Sequence, residues 1–132
     1  MMELTQHLSV PTQIDFLKVS SYGSGTSTSG KVDIQFDTSR NLAGKNVLIV
    51  DDVVDSGLTL KAVRELFRTR NCKSIRLAAM LDKKERRLVK MVPDYYGFVI
   101  PDEFVVGFGL DYNEDYRTLP YVGILKRSVY EK

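Results

Sequence analysis

Apolar and polar residues change rhythm several times along this chain, and each change marks an element. Met1, Leu4 and Leu8 share one face of a helical pattern that Pro11 stops. From Ile14 to Tyr22 the rhythm becomes alternating: Ile14, Phe16, Leu17 and Val19 oppose Asp15, Lys18 and Ser20, which reads as a strand. Val32, Ile34 and Phe36 repeat the alternation over Lys31 to Asp37. After a turn at Asn41 to Lys45 comes the short apolar run Val47-Leu48-Ile49-Val50, the pattern of a buried strand. A helix is predicted to follow, with Leu60, Val63, Leu66 and Phe67 on one face and its end near Arg70 and Asn71. Ser74 to Leu81 reads as a second buried strand, Tyr95 to Ile100 and Tyr121 to Leu125 as shorter ones. Between Ser21 and Gly30 the chain is small, polar and glycine-rich, which suits either a plain hairpin linker or a mobile loop.

The junction between the first buried strand and its helix carries the chemistry. DDVVDSGLT brings three carboxylates, two hydroxyls and a glycine to the mouth of a helix. In open α/β sheets ligands bind at the carboxyl ends of the strands. Ser56, Gly57, Leu58 and Thr59 offer backbone amides where the helix dipole favours an anion. Gly57 lets the chain curl around it, and the hydroxyls of Ser56 and Thr59 add donors. Asp51 and Asp52 would repel a phosphate but suit sugar hydroxyls or a hydrated Mg²⁺. Asp55 sits between the two zones. A ligand with a phosphate at one end and a diol at the other, such as a ribose 5-phosphate, meets these demands. An ordinary acidic turn with Thr59 as helix N-cap is the bland alternative, disfavoured because an apolar strand and an amphipathic helix flank the loop directly.

Composition narrows the field. At 132 residues the chain is one domain, 1–132, with room for a core. Its 43% hydrophobic and 27% charged residues are ordinary for a globular fold. A formal charge of +2 is too small to argue for nucleic acid. Arg86, Arg87 and Lys90 with Lys83 and Lys84 form one basic cluster, read as a solvated face apart from Lys83. Cys72 is alone, which excludes an internal disulfide, and one histidine, His7, argues against a zinc site and a serine triad. No apolar run approaches a membrane span and no signal-peptide pattern opens the chain, so the expected location is cytoplasmic.

VLIVDDVVDSGLTL resembles the PRPP-binding motif of type I phosphoribosyltransferases. SSYGSGTSTSGKV upstream, with LDKKERR, GFVIPDEFVVGFGLDYNEDYR and LPYVGILK downstream, resembles the hypoxanthine-guanine phosphoribosyltransferase family over nearly the whole chain. The resemblance implies a mainly parallel twisted sheet flanked by helices, with a flexible lid loop and a small C-terminal hood. It implies Mg²⁺-dependent transfer of phosphoribose from PRPP to hypoxanthine or guanine, giving IMP or GMP and pyrophosphate, in a homodimer or homotetramer.

Carried over residue by residue, it makes Asp55 the general acid/base at the purine imidazole nitrogen. Ser56 to Thr59 anchor the 5-phosphate, and Asp51 and Asp52 face the ribose hydroxyls and metal waters. Lys83 donates to the 6-oxo group, Phe104 stacks on the purine, and Val105 offers backbone groups to its edge. Asp111, grouped with the purine-binding residues, is a metal ligand whose Mg²⁺ also touches pyrophosphate, Arg117 helps hold pyrophosphate, and Ser21 and Tyr22 hinge the lid. An ammonium carries only donors and so selects a carbonyl over an amine. Relatives commonly carry glutamate where this chain has Asp51. In the family a strand and a pyrophosphate-binding loop precede the first helix, and neither lies within these residues. That departure keeps open a catalytically silent nucleotide-binding module, and the Asp-Asp pair keeps open a xanthine-guanine enzyme.

Overall fold

A computed structural model describes residues 1–21 and 32–131. Eleven elements follow one another among them: α1 (Met2–Gln6), β1 (Lys18–Ser21), β2 (Val32–Phe36), β3 (Asn46–Val54), α2 (Leu58–Arg68), β4 (Ser74–Asp82), a one-turn 3₁₀ helix (Lys84–Arg86), β5 (Tyr95–Val99), β6 (Val105–Val106), β7 (Gly123–Ile124) and α3 (Arg127–Tyr130). β3, β4 and β5 form a parallel sheet in that order, the α/β arrangement expected. β1 and β2 pair antiparallel, and so do β6 and β7, which build the C-terminal hood. No helix among the described residues is long and apolar enough to cross a membrane.

Periodicity located α1, α2, β1 to β5 and β7, missed the 3₁₀ helix, β6 and α3, and misjudged several burials. α2 buries Leu60, Val63 and Phe67 as predicted, each contributing roughly 1.5–3 kcal/mol. Leu66 is only half-buried. Val54, Leu60, Leu77, Ala79 and Met91 form the core cluster, with Ile49 and Val89 packed against it. β3 is longer than its apolar run, and only Val54 in it is buried. It lies at an edge of the sheet, so apolar content overstated how completely it is covered. β5 occupies the opposite edge and is exposed throughout. The helix predicted at the N-terminus forms, but its apolar face is uncovered: α1 contains no buried residue.

The β1–β2 hairpin is tied down at its base. Asp15 Oδ2 accepts the amides of Ser39 and Arg40 at 2.9 and 3.1 Å, and hydrogen bonds, the Phe16 amide first, hold its pKa below the usual carboxylate value. Arg70, just beyond α2, grips Asp37 with both fork nitrogens at 2.8 and 2.7 Å. Ser21 ends β1, whereas Tyr22 and the glycine-rich run to Gly30 lie outside the described residues.

Candidate functional site

Register brings the chemistry to one edge. Val54 of β3 pairs with Asp82 of β4, and Asp82 pairs with Val99 of β5. The Lys83 amide donates to the Val54 carbonyl at 2.9 Å, and the Ile100 amide donates to Asp82 at 3.0 Å. Asp55 and Lys83 therefore emerge side by side at the carboxyl ends of adjacent parallel strands, where an open α/β sheet takes its ligand.

The loop after β3 turns sharply at Gly57, which caps α2 in the left-handed region at φ +79°. Leu58 and Thr59 belong to the first turn of the helix, so the N-cap is Gly57 and Thr59 is not one. The first helical bond runs from the Lys61 amide to the Gly57 carbonyl at 2.9 Å. Ser56 Oγ accepts the Leu58 amide at 3.3 Å. The amides of Gly57, Thr59 and Leu60 have no hydrogen-bond partner among the described residues, as at any helix start awaiting an acceptor. Ser56, Leu58 and Thr59 stay half-exposed, so an anion can reach them.

Beneath the loop lies the segment from Lys84 to Met91. The Leu88 amide donates to the Ser56 carbonyl at 3.0 Å. Arg87 donates to the Met91 carbonyl at 2.7 Å and to the carboxylate of Asp82, which is 1% exposed. The expected solvated basic face is thus wrong for Arg87: its side chain is 13% exposed and neutralises a buried acid. An acid closing an otherwise apolar strand needs a partner, and that demand was the available signal. Arg86 is also engaged, at 3.0 Å from Asp55 and 3.4 Å from Asp102.

Asp51 and Asp52 lie within β3 itself, upstream of the turn. The Asp52 amide donates to the Asp51 carboxylate at 3.1 Å, and the Val53 amide to Asp52 at 2.7 Å. Burial first, and the neighbouring negative charge of Asp52 second, push the Asp51 carboxyl up to about 6. Two adjacent acids that repel each other suit a divalent cation. Mg²⁺ usually needs only one or two carboxylates, completing its shell with water and substrate phosphate. Asp111 does not join them: among the described residues no group of three or more acids, histidines or cysteines is placed to hold a metal ion.

Asp111 is instead fixed within its own turn. Its Oδ2 accepts the Glu114 amide at 2.9 Å, and its Oδ1 lies 3.0 Å from Arg117. Arg117 also donates to Gly109 at 2.9 Å and to Glu114 at 3.1 Å, so its fork is already occupied. Lys83 is 8% exposed, and its ammonium makes no hydrogen bond or ion pair among the described residues. Phe104 is 37% exposed and packs edge-on against Tyr112 at 5.6 Å between ring centres, and tilted against Tyr130 at 5.3 Å. Sequence reading missed both tyrosines. Val105 is half-buried and pairs with Ile124. An apolar hollow of about 450 Å³ opens between β4, β5 and the hood, with Met80, Phe98, Val105 and Ile124 among its walls; Val105 is the one candidate residue that lines it. The phosphate-sized loop is thus a separate, open surface.

Comparison with known proteins places the arrangement. The phosphoribosyl transferase domain family matches residues 1–113. The hypoxanthine-guanine phosphoribosyltransferase of Streptococcus pyogenes is 50% identical over 132 residues, covering 100% of this chain and 73% of the relative. That of Streptococcus pneumoniae is 48% identical over 130 residues, covering 98% and 72%. The crystal structure of a hypoxanthine phosphoribosyltransferase from Staphylococcus aureus superposes with a TM-score of 0.94 at 44% identity, covering 99% of this chain and 71% of that one.

Proposed function

The chain belongs to the hypoxanthine-guanine phosphoribosyltransferase family, and from that premise we propose how its residues divide the work. The reaction is purine salvage: phosphoribose passes from PRPP to hypoxanthine or guanine, giving IMP or GMP and pyrophosphate. The observation that carries the assignment is the side-by-side emergence of Asp55 and Lys83 next to the unpartnered amides of α2.

The free amides of Gly57, Thr59 and Leu60, with the hydroxyls of Ser56 and Thr59, hold the 5-phosphate. Asp51 and Asp52 hold the ribose hydroxyls and would carry Mg²⁺, which when bound neutralises the pyrophosphate leaving group. Asp111 and Arg117, 3.0 Å apart, are assigned to the pyrophosphate end, where Asp111 would hold a Mg²⁺ and Arg117 the phosphate oxygens. Ser21 and Tyr22 are assigned to a lid. The transition state is a ribosyl cation with little bonding on either side, so the protein positions groups and stabilises charge. Asp55 manages the proton at the purine imidazole nitrogen. Lys83 donates to the 6-oxo oxygen, which an amino group at the same place cannot accept. Phe104 supports the ring face, and the backbone of Val105 meets its edge.

The assay is turnover with PRPP and Mg²⁺ and each purine separately. Formation of IMP and GMP, with adenine inert, is the expected result. Tight IMP binding without turnover would identify a silent binding module, and preference for xanthine the related enzyme. In Asp55→Asn, turnover should fall at least a hundredfold while GMP binding survives, the range usual for general acid–base groups. Equal loss of binding and rate would remove Asp55 from that role.

A further inference from the structure

We propose that Arg86 is a positioning residue: it tethers Asp55 in its working orientation and is itself held by Asp102. The inference rests on the acid/base role given to Asp55 above.

Three segments meet at this guanidinium. Asp55 follows β3, Arg86 closes the one-turn helix after β4, and Asp102 sits in the turn that leads into Phe104 and Val105. Arg86 Nε stands 3.0 Å from Asp55 Oδ1, and Arg86 Nη1 stands 3.4 Å from Asp102 Oδ1. A planar fork presents its Nε–H and Nη–H donors in fixed directions, so it can hold two acceptors in one set geometry.

The carboxyl of Asp55 is unevenly placed. Its Oδ1 is shut off from solvent and has no aligned hydrogen bond among the described residues, where the charge contact with Arg86 is what it has. The residue as a whole is half-exposed, which leaves Oδ2 as the oxygen open to a ligand. A general base needs one oxygen presented and the other kept still. The contact supplies that division.

Of the neighbouring charges, Asp82 is neutralised by Arg87, Asp51 and Asp52 lie upstream on β3, and Lys83 makes no ion pair among the described residues. Arg86 is the one cation ion-paired with Asp55 among them. Both side chains are substantially exposed, 53% for Arg86 and 42% for Asp55, so the pair adds little to folding. An ion pair too wet to stabilise the fold, bridging the acid/base residue to the turn before the hood, is better explained by orientation.

The test separates tethering from architecture. In Arg86→Ala, kcat should fall about tenfold, a fraction of what general acid–base groups usually supply. KM for PRPP and for purine should change less than about twofold, and Tm should stay put. Arg86→Lys should recover part of the rate by reaching one carboxylate. In an Asp55→Asn background Arg86→Ala should cost nothing more, because there is no base left to orient. Full kcat in Arg86→Ala, or the same tenfold loss without Asp55, overturns the proposal. A readout independent of turnover is the Arg86 ε-NH resonance, assigned by its loss in Arg86→Lys. It should move to an exposed-arginine position in both Asp55→Asn and Asp102→Asn, and indifference to Asp55→Asn also overturns the tether. A chain that shows this coupling but no turnover contradicts the enzymatic reading and leaves the tether standing.

Discussion

Arg87 lies directly against Gly57: a Cβ placed on that glycine would stand 3.0 Å from Arg87 Cδ and 3.1 Å from Met91 and Val89. The loop proposed to hold the 5-phosphate is therefore moulded on the segment that follows Lys83. Two demands coincide at position 57, a left-handed backbone and a filled floor. Gly57→Ala should destabilise the chain by about 1–3 kcal/mol and raise KM for PRPP at least tenfold. Urea denaturation and steady-state kinetics on the same variant check both halves.

The ion pair under this floor is buried and incompletely satisfied: Asp82 Oδ2 and Arg87 Nε are closed to solvent without hydrogen-bond partners among the described residues. Removing one member strands the other's charge, so Arg87→Met should cost about 3–5 kcal/mol. Replacing both, Asp82→Leu with Arg87→Met, should restore most of that loss. Equilibrium denaturation of the two singles and the double forms the cycle; additive losses would contradict the pairing.

Asp51 makes stability depend on pH. Its folded pKa of about 6 lies above the ordinary 3.8, so the folded chain retains a proton there that the unfolded chain has released. That contribution is complete below about pH 4 and is lost as pH rises through 6. Asp51→Asn should therefore exceed the wild type in stability at pH 7.5, with the gap closing towards pH 4. Mg²⁺ should raise the wild-type Tm more at pH 7.5 than at pH 5 and should do little for Asp51→Asn. Thermal melts across pH, with and without the ion, decide it.

Lys83→Ala removes a charged donor, which is typically worth about 1.5–3 kcal/mol, or some ten- to hundredfold in affinity. GMP and IMP should weaken by that factor. AMP, lacking a carbonyl at the same position, should bind the variant and the wild type alike. Calorimetry with the three nucleotides makes the comparison, and undiminished GMP affinity would exclude Lys83 from base recognition.

Legibility in the sequence followed a physical line. β3, α2 and β4 were readable because apolar periodicity and turn residues act locally, and Asp55 and Gly57 stood out in the turn between β3 and α2. What escaped depended on contacts between segments. Nothing in the spacing of Asp82, Arg86, Arg87 and Asp102 states which acid meets which base, since a 3₁₀ turn and a strand end set those meetings. Tyr112 and Tyr130 reach Phe104 from sites 8 and 26 residues away in sequence, beyond any local pattern. The exposure of β5 and of the α1 face reflects neighbours, or their lack, among the described residues.

The grip on Phe104 has a consequence for ligand choice. An aromatic ring already braced by two tyrosines has little torsional freedom left to surrender when a flat heterocycle settles on it. In the stacking role proposed for Phe104, such a shelf would greet adenine, hypoxanthine, guanine and xanthine almost equally, because each offers a π face. Telling them apart then falls to groups that read the rim of the ring, and changing the shelf should shift all four affinities together.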